Sequence, residues 1–193
     1  MARITDQKKI ERLKQATMKL VVERGFGGAS AALIAKEAEV ASGYFYMHYK
    51  GKYEMVNSIL QEVYQEVFGE FEVLIEKELS FSETIETMVR DFVRMANAES
   101  IKVKFLYVLT NDYSFVIDQT IRENTFEIIR KVKEFGQSSN ALDTKISEDD
   151  LYLILFINTI QYINQRYKNS KQKVKISNAD VDHLLYLFNK ILR

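Results

Sequence analysis

The sequence predicts an all-α protein, with an N-terminal three-helix unit containing a helix-turn-helix and a C-terminal helical domain. Three observations predict it. The 193-residue chain contains no proline, where average usage near 5% would place about ten; proline breaks helix interiors, so its absence permits long uninterrupted helices. Apolar residues recur at three- and four-residue spacing along most of the chain, and no alternating strand pattern survives beside them. Five of the seven glycines, Gly25, Gly27, Gly28, Gly43 and Gly51, fall between residues 25 and 51, where they punctuate short helical segments.

Residues 5–24 place Ile10, Leu13, Thr17, Leu20 and Val21 at helical spacing, and Arg24-Gly25 supplies a cationic last turn and a glycine stop. Ser30 to Ala38 and Ser42 to Tyr49 read as two short helices joined by Glu39-Val40-Ala41, the pattern of a helix-turn-helix. From Lys52 onward, Val56, Ile59, Leu60, Val63, Val67, Phe71, Leu74 and Ile75 form one stripe over about six turns, enough to connect two domains. The expected division is therefore residues 1–51 and 52–193. Further helices are predicted at 82–98, 101–112, 114–136, 148–168 and 178–192. Three starts carry a small polar residue with an acid three places on: Ser80 with Glu83, Ser147 with Asp150 and Ser177 with Asp180. Phe105 to Thr110 has strand-like composition, but its helical neighbours place a buried helix there.

The net charge is zero overall, yet residues 1–55 carry ten Lys/Arg against six Asp/Glu and the remainder seventeen against twenty-one. A positive excess at one end suits a surface that meets phosphate, more so when two copies combine. With no cysteine, disulfides, thiol chemistry and Cys-ligated metals are excluded. Two histidines without metal-ligand spacing give no metal site. The longest apolar run, Leu151 to Ile157, is far short of the ~18 residues of a membrane span, and the first residues lack a signal-peptide stretch, so the expected location is the cytoplasm.

Residues 26–55 resemble the signature of the TetR family of transcriptional regulators. The resemblance lies in Ile34-Ala-Lys-Glu-Ala38, Ser42-Gly-Tyr-Phe-Tyr46, the His48-Tyr49 pair and Lys50-Gly-Lys52 before a long helix. It implies sequence-specific binding of double-stranded, palindromic operator DNA by a homodimer, and repression relieved by a small-molecule effector in the C-terminal domain. Three positions depart from the pattern. Glu39 stands where the turn usually has glycine and must manage any left-handed backbone there. Ala41 replaces the usual capping residue of the recognition helix, leaving Ser42 to cap it or shifting its start by one residue. Tyr44 replaces a small Thr or Ser.

In the recognition helix, Phe45 and Tyr49, four apart, read as buried anchors against Leu33, Ile34 and the first helix. The opposite face offers Ser42, Gly43, Tyr44, Tyr46, Met47 and His48 to DNA. Gly43 lets the backbone approach the groove. Tyr46 and His48 resemble the family's phosphate-contacting pair, and Lys52 and the helix-capping Ser30 add two more phosphate contacts. Tyr44 and Met47 are the expected base contacts, apolar ones to thymine methyls. The bland reading of this cluster is an aromatic packing face, but one short helix cannot bury rings on every side. Arg3, Lys8 and Lys9 suit either a flexible arm on DNA or a solvated tail.

Gly25-Phe-Gly-Gly28 lacks the Gly-Lys-Ser/Thr and preceding strand of a phosphate loop and reads as a helix end. Glu148-Asp-Asp150 reads as helix-start charge, and Arg166, Lys168, Lys171, Lys173 and Lys175 as a solvated connector. No nucleophile, acid-base pair or cofactor motif marks an enzyme, and no cofactor is implied. An effector pocket between bundle helices is expected to be lined from Met88, Phe92, Met95, Phe105, Tyr107, Leu109, Tyr113, Phe126, Asn158 and Tyr162. Such aromatics and methionines suit an apolar or amphipathic ligand, with Asp91, Asp112 or Asp118 able to pair a cation if one faces inward. Leu151 to Ile157 is apolar all round and must be covered on every side. Val181, Leu184, Leu185, Phe188, Ile191 and Leu192 form a second stripe. Leu151, Leu155, Leu184, Leu185, Phe188 and Ile191 are thus the expected dimer contacts, in an intermolecular four-helix bundle. The rival to a transcription regulator is a helical adaptor, or a DNA-binding protein of non-transcriptional purpose, using the same surface.

Overall fold

Helix starts and stops follow the capping chemistry that the sequence announces. In the computed structural model, which describes residues 2–69, 74, 79–169 and 174–192 with side chains from Asp6 onward, every regular element is helical. In order these are α1 (Ala2–Gly28), α2 (Ala31–Glu37), α3 (Ser42–His48), α4 (Lys52–Phe68), α5 (Phe81–Ala98), α6 (Ser100–Asn111), α7 (Gln119–Ser138), α8 (Glu148–Leu151), a π-helical segment (Tyr152–Ile157), α9 (Asn158–Lys168) and α10 (Asn178–Ile191). Phe71, Ile75, Lys171 and Lys173 lie outside the described residues, and Arg3 is described in its backbone alone.

Ser80, Ser147 and Ser177 each accept the amide three residues on, while Glu83, Asp150 and Asp180 accept the serine's own N–H, so all three expected capping boxes form. The regular part of α1 breaks at Gly25, whose φ of 72° and ψ of 170° suit glycine alone. One boundary differs from expectation. Asp112 accepts the amide and hydroxyl of Ser114 at 2.9 and 2.6 Å, a side-chain turn that competes with the helix, so α7 begins at Gln119 rather than 114.

The chain divides into two compact units, residues 1–63 with 104–118 and residues 64–103 with 119–193. The boundary between these units falls inside α4, and the first unit also takes in most of α6 and the segment after it. In that unit the α1 stripe of Leu13, Thr17, Leu20 and Val21 packs into one core with Ile34, Phe45, Met55, Val56, Phe105 and Leu106, all buried. Each large apolar side chain buried there contributes about 1.5–3 kcal/mol of transfer free energy.

In the second unit the core gathers around Phe156, whose ring lies 5.1 Å from those of Tyr64, Phe68 and Tyr152 and 5.3 Å from Phe92. Asn97 exchanges two hydrogen bonds of 2.9 Å with the backbone of Ile176, fixing the strand of chain that leads into α10. Asp180, buried at the start of α10, accepts from Tyr162 Oη at 2.8 Å and pairs with Arg166 Nε at 2.9 Å. The all-round apolar run Leu151 to Ile157 is where the helix widens into π geometry. Leu151, Ile154, Leu155 and Phe156 are buried, whereas Leu153 is half exposed.

Candidate nucleic-acid interface

Ser30 caps α2, its Oγ accepting Leu33 N–H at 3.3 Å. The turn into α3 passes through Glu39 at φ 54°, the left-handed backbone expected of that position. Ala41 stands at the N-cap of α3 with no side-chain bond, and Ser42 is the first helical residue rather than the cap. Phe45 is wholly buried and Tyr49 half buried, with rings 5.8 Å apart, so these two anchor α3 as their spacing predicts.

The opposite side of α3 is open. Ser42 and Gly43 are exposed, Tyr46 is 60% and Met47 75% exposed. Gly43 has no positive φ, and a Cβ built on it would meet nothing within 4 Å. Neither conformation nor packing therefore requires glycine here, although in a helix it costs about 0.5–1 kcal/mol relative to alanine.

Three of the expected DNA contacts, Tyr44, His48 and Lys52, lie against the chain's own residues. Tyr44 donates its hydroxyl to the Asp6 carboxylate, its ring lies 4.7 Å from that of His48, and Lys9 Nζ sits 4.9 Å from its centroid. Burial and the Asp6 carboxylate push the Tyr44 phenol up to about 12. A tyrosine with an apolar neighbourhood for its ring and an acceptor for its tip packs rather than projects, so Tyr44 belongs to the α1–α3 contact. His48 is half buried there too, Nε2 without a hydrogen-bond partner and 3.9 Å from Asp6 Oδ1.

Lys52 is the third. Its Nζ donates to Phe26 O at 2.6 Å and lies 4.1 Å from the Phe26 ring centroid. The break at Gly25 leaves a helix-end carbonyl needing a donor, and Lys52 supplies it. Around it, Asp112 Oδ2 accepts Phe26 N–H at 2.7 Å, Phe115 sets its ring 5.0 Å from Phe26 and 6.2 Å from Tyr53, and Asn57 Oδ1 accepts Asp118 N–H at 3.0 Å. Asp112 and Asp118 thus hold the end of α1 and the start of α4. Asp91 pairs with Arg94 at 2.8 Å.

The second unit contains a cleft of about 300 Å³ including its mouth, lined by Phe68, Met88, Ile128, Ile129, Val132, Leu151, Tyr152, Leu155 and Phe156. Of the expected pocket residues Met88 lines it. Phe92 and Phe126 stand one ring behind, 5.3 Å from Phe156 and 5.5 Å from Tyr152. Met95 is buried elsewhere in that unit, and Phe105 and Leu109 are core of the first unit. Tyr107 is half buried, Tyr113 fully exposed, Asn158 exposed, and Tyr162 is engaged by Asp180. The residues that sequence reasoning missed come from the apolar run at 151–157. Its need for cover was legible, but the widened turn and the cleft it borders were not.

Leu151, Leu155, Leu184 and Phe188 are buried in the chain's own core, so they are not the surface a second copy would meet; Leu185 is half buried. Among the described residues of the second unit, the large apolar side chains left in solvent are Leu153, Tyr186, Leu187 and Ile191. Among the described residues no cluster of His, Cys, Asp or Glu could hold a metal, and no helix is long and apolar enough to cross a membrane.

A short capped helix, a tight left-handed turn, and a second helix anchored by one face and open on the other define a helix-turn-helix DNA-binding protein. Residues 13–59 match the family described as bacterial regulatory proteins, tetR family. Residues 13–59 therefore form a DNA-binding domain of the tetR type, and the chain is a DNA-binding transcription regulator. The fold is shared along almost its whole length by solved structures of low identity. A TetR family transcription regulator from Marinobacter aquaeolei VT8 superposes with a TM-score of 0.77 at 14% identity, covering 98% of each chain. The transcriptional regulator FadR from Bacillus subtilis, in complex with stearoyl-CoA, gives 0.69 at 16%, covering 95% of this chain and 99% of that one. The fatty acid degradation regulator FadR from Bacillus halodurans gives 0.66 at 16%, covering 93% of each. No curated protein matches the chain.

Proposed function

We propose that the protein is a dimeric repressor of neighbouring genes, released from near-palindromic operator DNA by a small apolar or amphipathic effector. Residues 1–51 read DNA, and residues 52–193 carry the effector site and the dimer contact. The observation that supports DNA reading best is Gly43, a helical glycine that the fold does not use, placed at the open start of α3 beside Tyr46 and Met47. A backbone with nothing in front of it can approach a groove that a side chain would hold off. Met47 offers an apolar contact to thymine methyls, and Ser30, Ser42 and Tyr46 offer hydroxyls to phosphate. Tyr44, His48 and Lys52 act behind this surface by fixing α3 and α4.

Two copies of α3 would sit one DNA turn, ~34 Å, apart. Effector binding displaces α4 so that this spacing no longer fits, and reciprocity makes operator DNA weaken effector binding by the same factor, about 1–3 kcal/mol. The stearoyl-CoA complex of the Bacillus subtilis FadR supports an amphipathic effector.

Footprinting on DNA flanking the gene tests the reading. A near-symmetric protected site is expected. Gly43→Leu should weaken binding to it at least tenfold while leaving helicity and melting temperature unchanged or raised, since a side chain there meets no protein atom. An unprotected flank at low salt, or full affinity in Gly43→Leu, overturns the reading.

A further inference from the structure

We propose that Met47 is a reversible oxidation site, at which a peroxide converts the thioether to a sulfoxide and so lowers affinity for DNA. The inference rests on the reading that the open face of α3 meets DNA, and gives that face a means of regulation.

Peroxide has few targets in this chain. With neither cysteine nor tryptophan present, the six methionines carry all of its sulfur and are its most readily oxidised side chains. Met18, Met55, Met88 and Met95 are buried, none more than 3% exposed, whereas Met47 is 75% exposed. Met1 lies outside the described residues. An oxidant reaches a buried thioether only when the surrounding structure opens, against the free energy of that opening. Met47 is within reach in the folded state. Among the described residues, then, the one methionine that meets solvent stands on the recognition helix.

Its position gives the chemistry a consequence. Met47 follows Gly43 by four residues, so the two share one side of α3, one turn apart. A Cβ built on Gly43 would meet nothing within 4 Å, and Phe45 anchors the helix from its buried side. At a residue this exposed, packing sets no requirement for a thioether. Leucine would offer thymine methyls an apolar contact of the same kind; methionine adds a sulfur that can be oxidised and restored.

The step balances with peroxide alone. A lone pair on Sδ attacks one peroxide oxygen, the S–O bond forms as the O–O bond breaks, and the leaving hydroxide takes the proton of the new S–OH group to become water. Sulfur loses two electrons and peroxide gains them. A flexible apolar side chain becomes a polar, chiral one. The sulfoxide oxygen accepts hydrogen bonds that thymine methyls cannot donate, and its negative end faces a groove walled by phosphates. Oxidation therefore favours the free protein, where that oxygen is hydrated. Methionine sulfoxide reductases reverse the change, removing the oxygen as water while a dithiol is oxidised to a disulfide. DNA covers the side that peroxide attacks, so binding and oxidation exclude each other.

The test treats the full-length protein with hydrogen peroxide at neutral pH, locates the added oxygen by peptide mass spectrometry, and measures affinity for the duplex protected in the footprint. Met47 should be oxidised before Met18, Met55, Met88 and Met95, with helicity and melting temperature retained, and duplex present during treatment should slow the reaction. Affinity should fall at least about tenfold, because a polar group replaces an apolar contact. The two methionine sulfoxide reductases, one for each epimer, should restore it with dithiothreitol as reductant. Met47→Leu has no thioether at the site, so whatever its own affinity, peroxide should leave that value unchanged. Met47→Gln, which carries an oxygen on the same side-chain atom, should bind like the oxidised native chain. Oxidation that begins at the buried methionines, or an equal loss of affinity in peroxide-treated Met47→Leu, overturns the proposal. Native protein that binds the duplex as tightly with Met47 as sulfoxide as with the thioether sinks the switch alone, whereas untreated protein that binds no flanking duplex sinks the DNA reading and the switch with it.

Discussion

Glu39 holds φ 54° in the turn between α2 and α3, a backbone that costs a residue with a Cβ about 1–2 kcal/mol. Its side chain returns little, because the 3.5 Å pair with Arg12 is exposed on both sides. Glu39→Gly removes that penalty and gives back about 0.4–1 kcal/mol in chain entropy, so a net gain of roughly 0.5–1 kcal/mol is expected, seen as a melting temperature raised by a few degrees. A lowered melting temperature would mean that Glu39 makes a contact worth more than its strain. Ala41 leaves α3 without a side-chain cap. Ala41→Ser should add about 0.5–1 kcal/mol to stability in urea denaturation, and no gain would place the serine hydroxyl away from the helix amides. Both features were legible because they are local, a residue type set against a backbone position two or three residues wide. The inward turn of Tyr44 and Lys52 was not, because their partners, Asp6 and the carbonyl of Phe26, lie 38 and 26 residues away in the chain. Spacing along one helix says which residues share a face and not what another element brings to it.

At the scale of elements, the serine-and-acid pairs located α5, α8 and α10 from the sequence, since each box closes within four residues. The segment between α6 and α7 escaped the same reasoning, for its fold depends on what Asp112 finds across the chain. Hydrogen bonds from Ser114, then Phe26 N–H and the charge of Lys52, hold the Asp112 carboxyl below its usual range. A carboxyl depressed by folding contributes stability that is present above its unfolded value, near 3.9, and is lost as pH falls through the lower folded value. Acid titration of the folded protein should therefore show Asp112→Asn less stable than the native chain at neutral pH, with the difference narrowing below about pH 4. A constant difference would mean that the charge plays no part. Gly25 is the other half of this joint. A Cβ there would lie 3.1 Å from Asp112 Oδ2 at φ 72°, so Gly25→Ala should cost about 1–3 kcal/mol. Its thermal unfolding should register the loss, and a stability equal to the native chain would show that α1 can end without this break. The π-helical segment had no sequence signal beyond its apolarity, because widening a turn by one residue leaves composition and spacing as they were.

For the whole molecule the proposed dimer raises the question of which surface a second copy covers. An apolar stripe by itself does not distinguish core from interface: Leu184 and Phe188 form the inward stripe of α10 and are consumed by the chain's own core. The side chains still facing water on α10 are Tyr186, Leu187 and Ile191, with Leu187 and Ile191 one turn apart on one face. Burying them against a symmetric copy is the economical way to remove them from solvent. Leu187→Glu with Ile191→Glu should halve the mass in sedimentation while helicity is retained, because both residues are solvent-exposed in the single chain and a glutamate there can reach water. Affinity for a palindromic duplex should fall about 100-fold or more as the second half-site ceases to be bound intramolecularly, and affinity for an isolated half-site should stay. Leu184→Glu supplies the contrast. A charge at that buried position unfolds the chain before it separates copies, so a folded Leu184→Glu monomer, or a doubly substituted α10 face that still sediments as a dimer, would move the interface off α10.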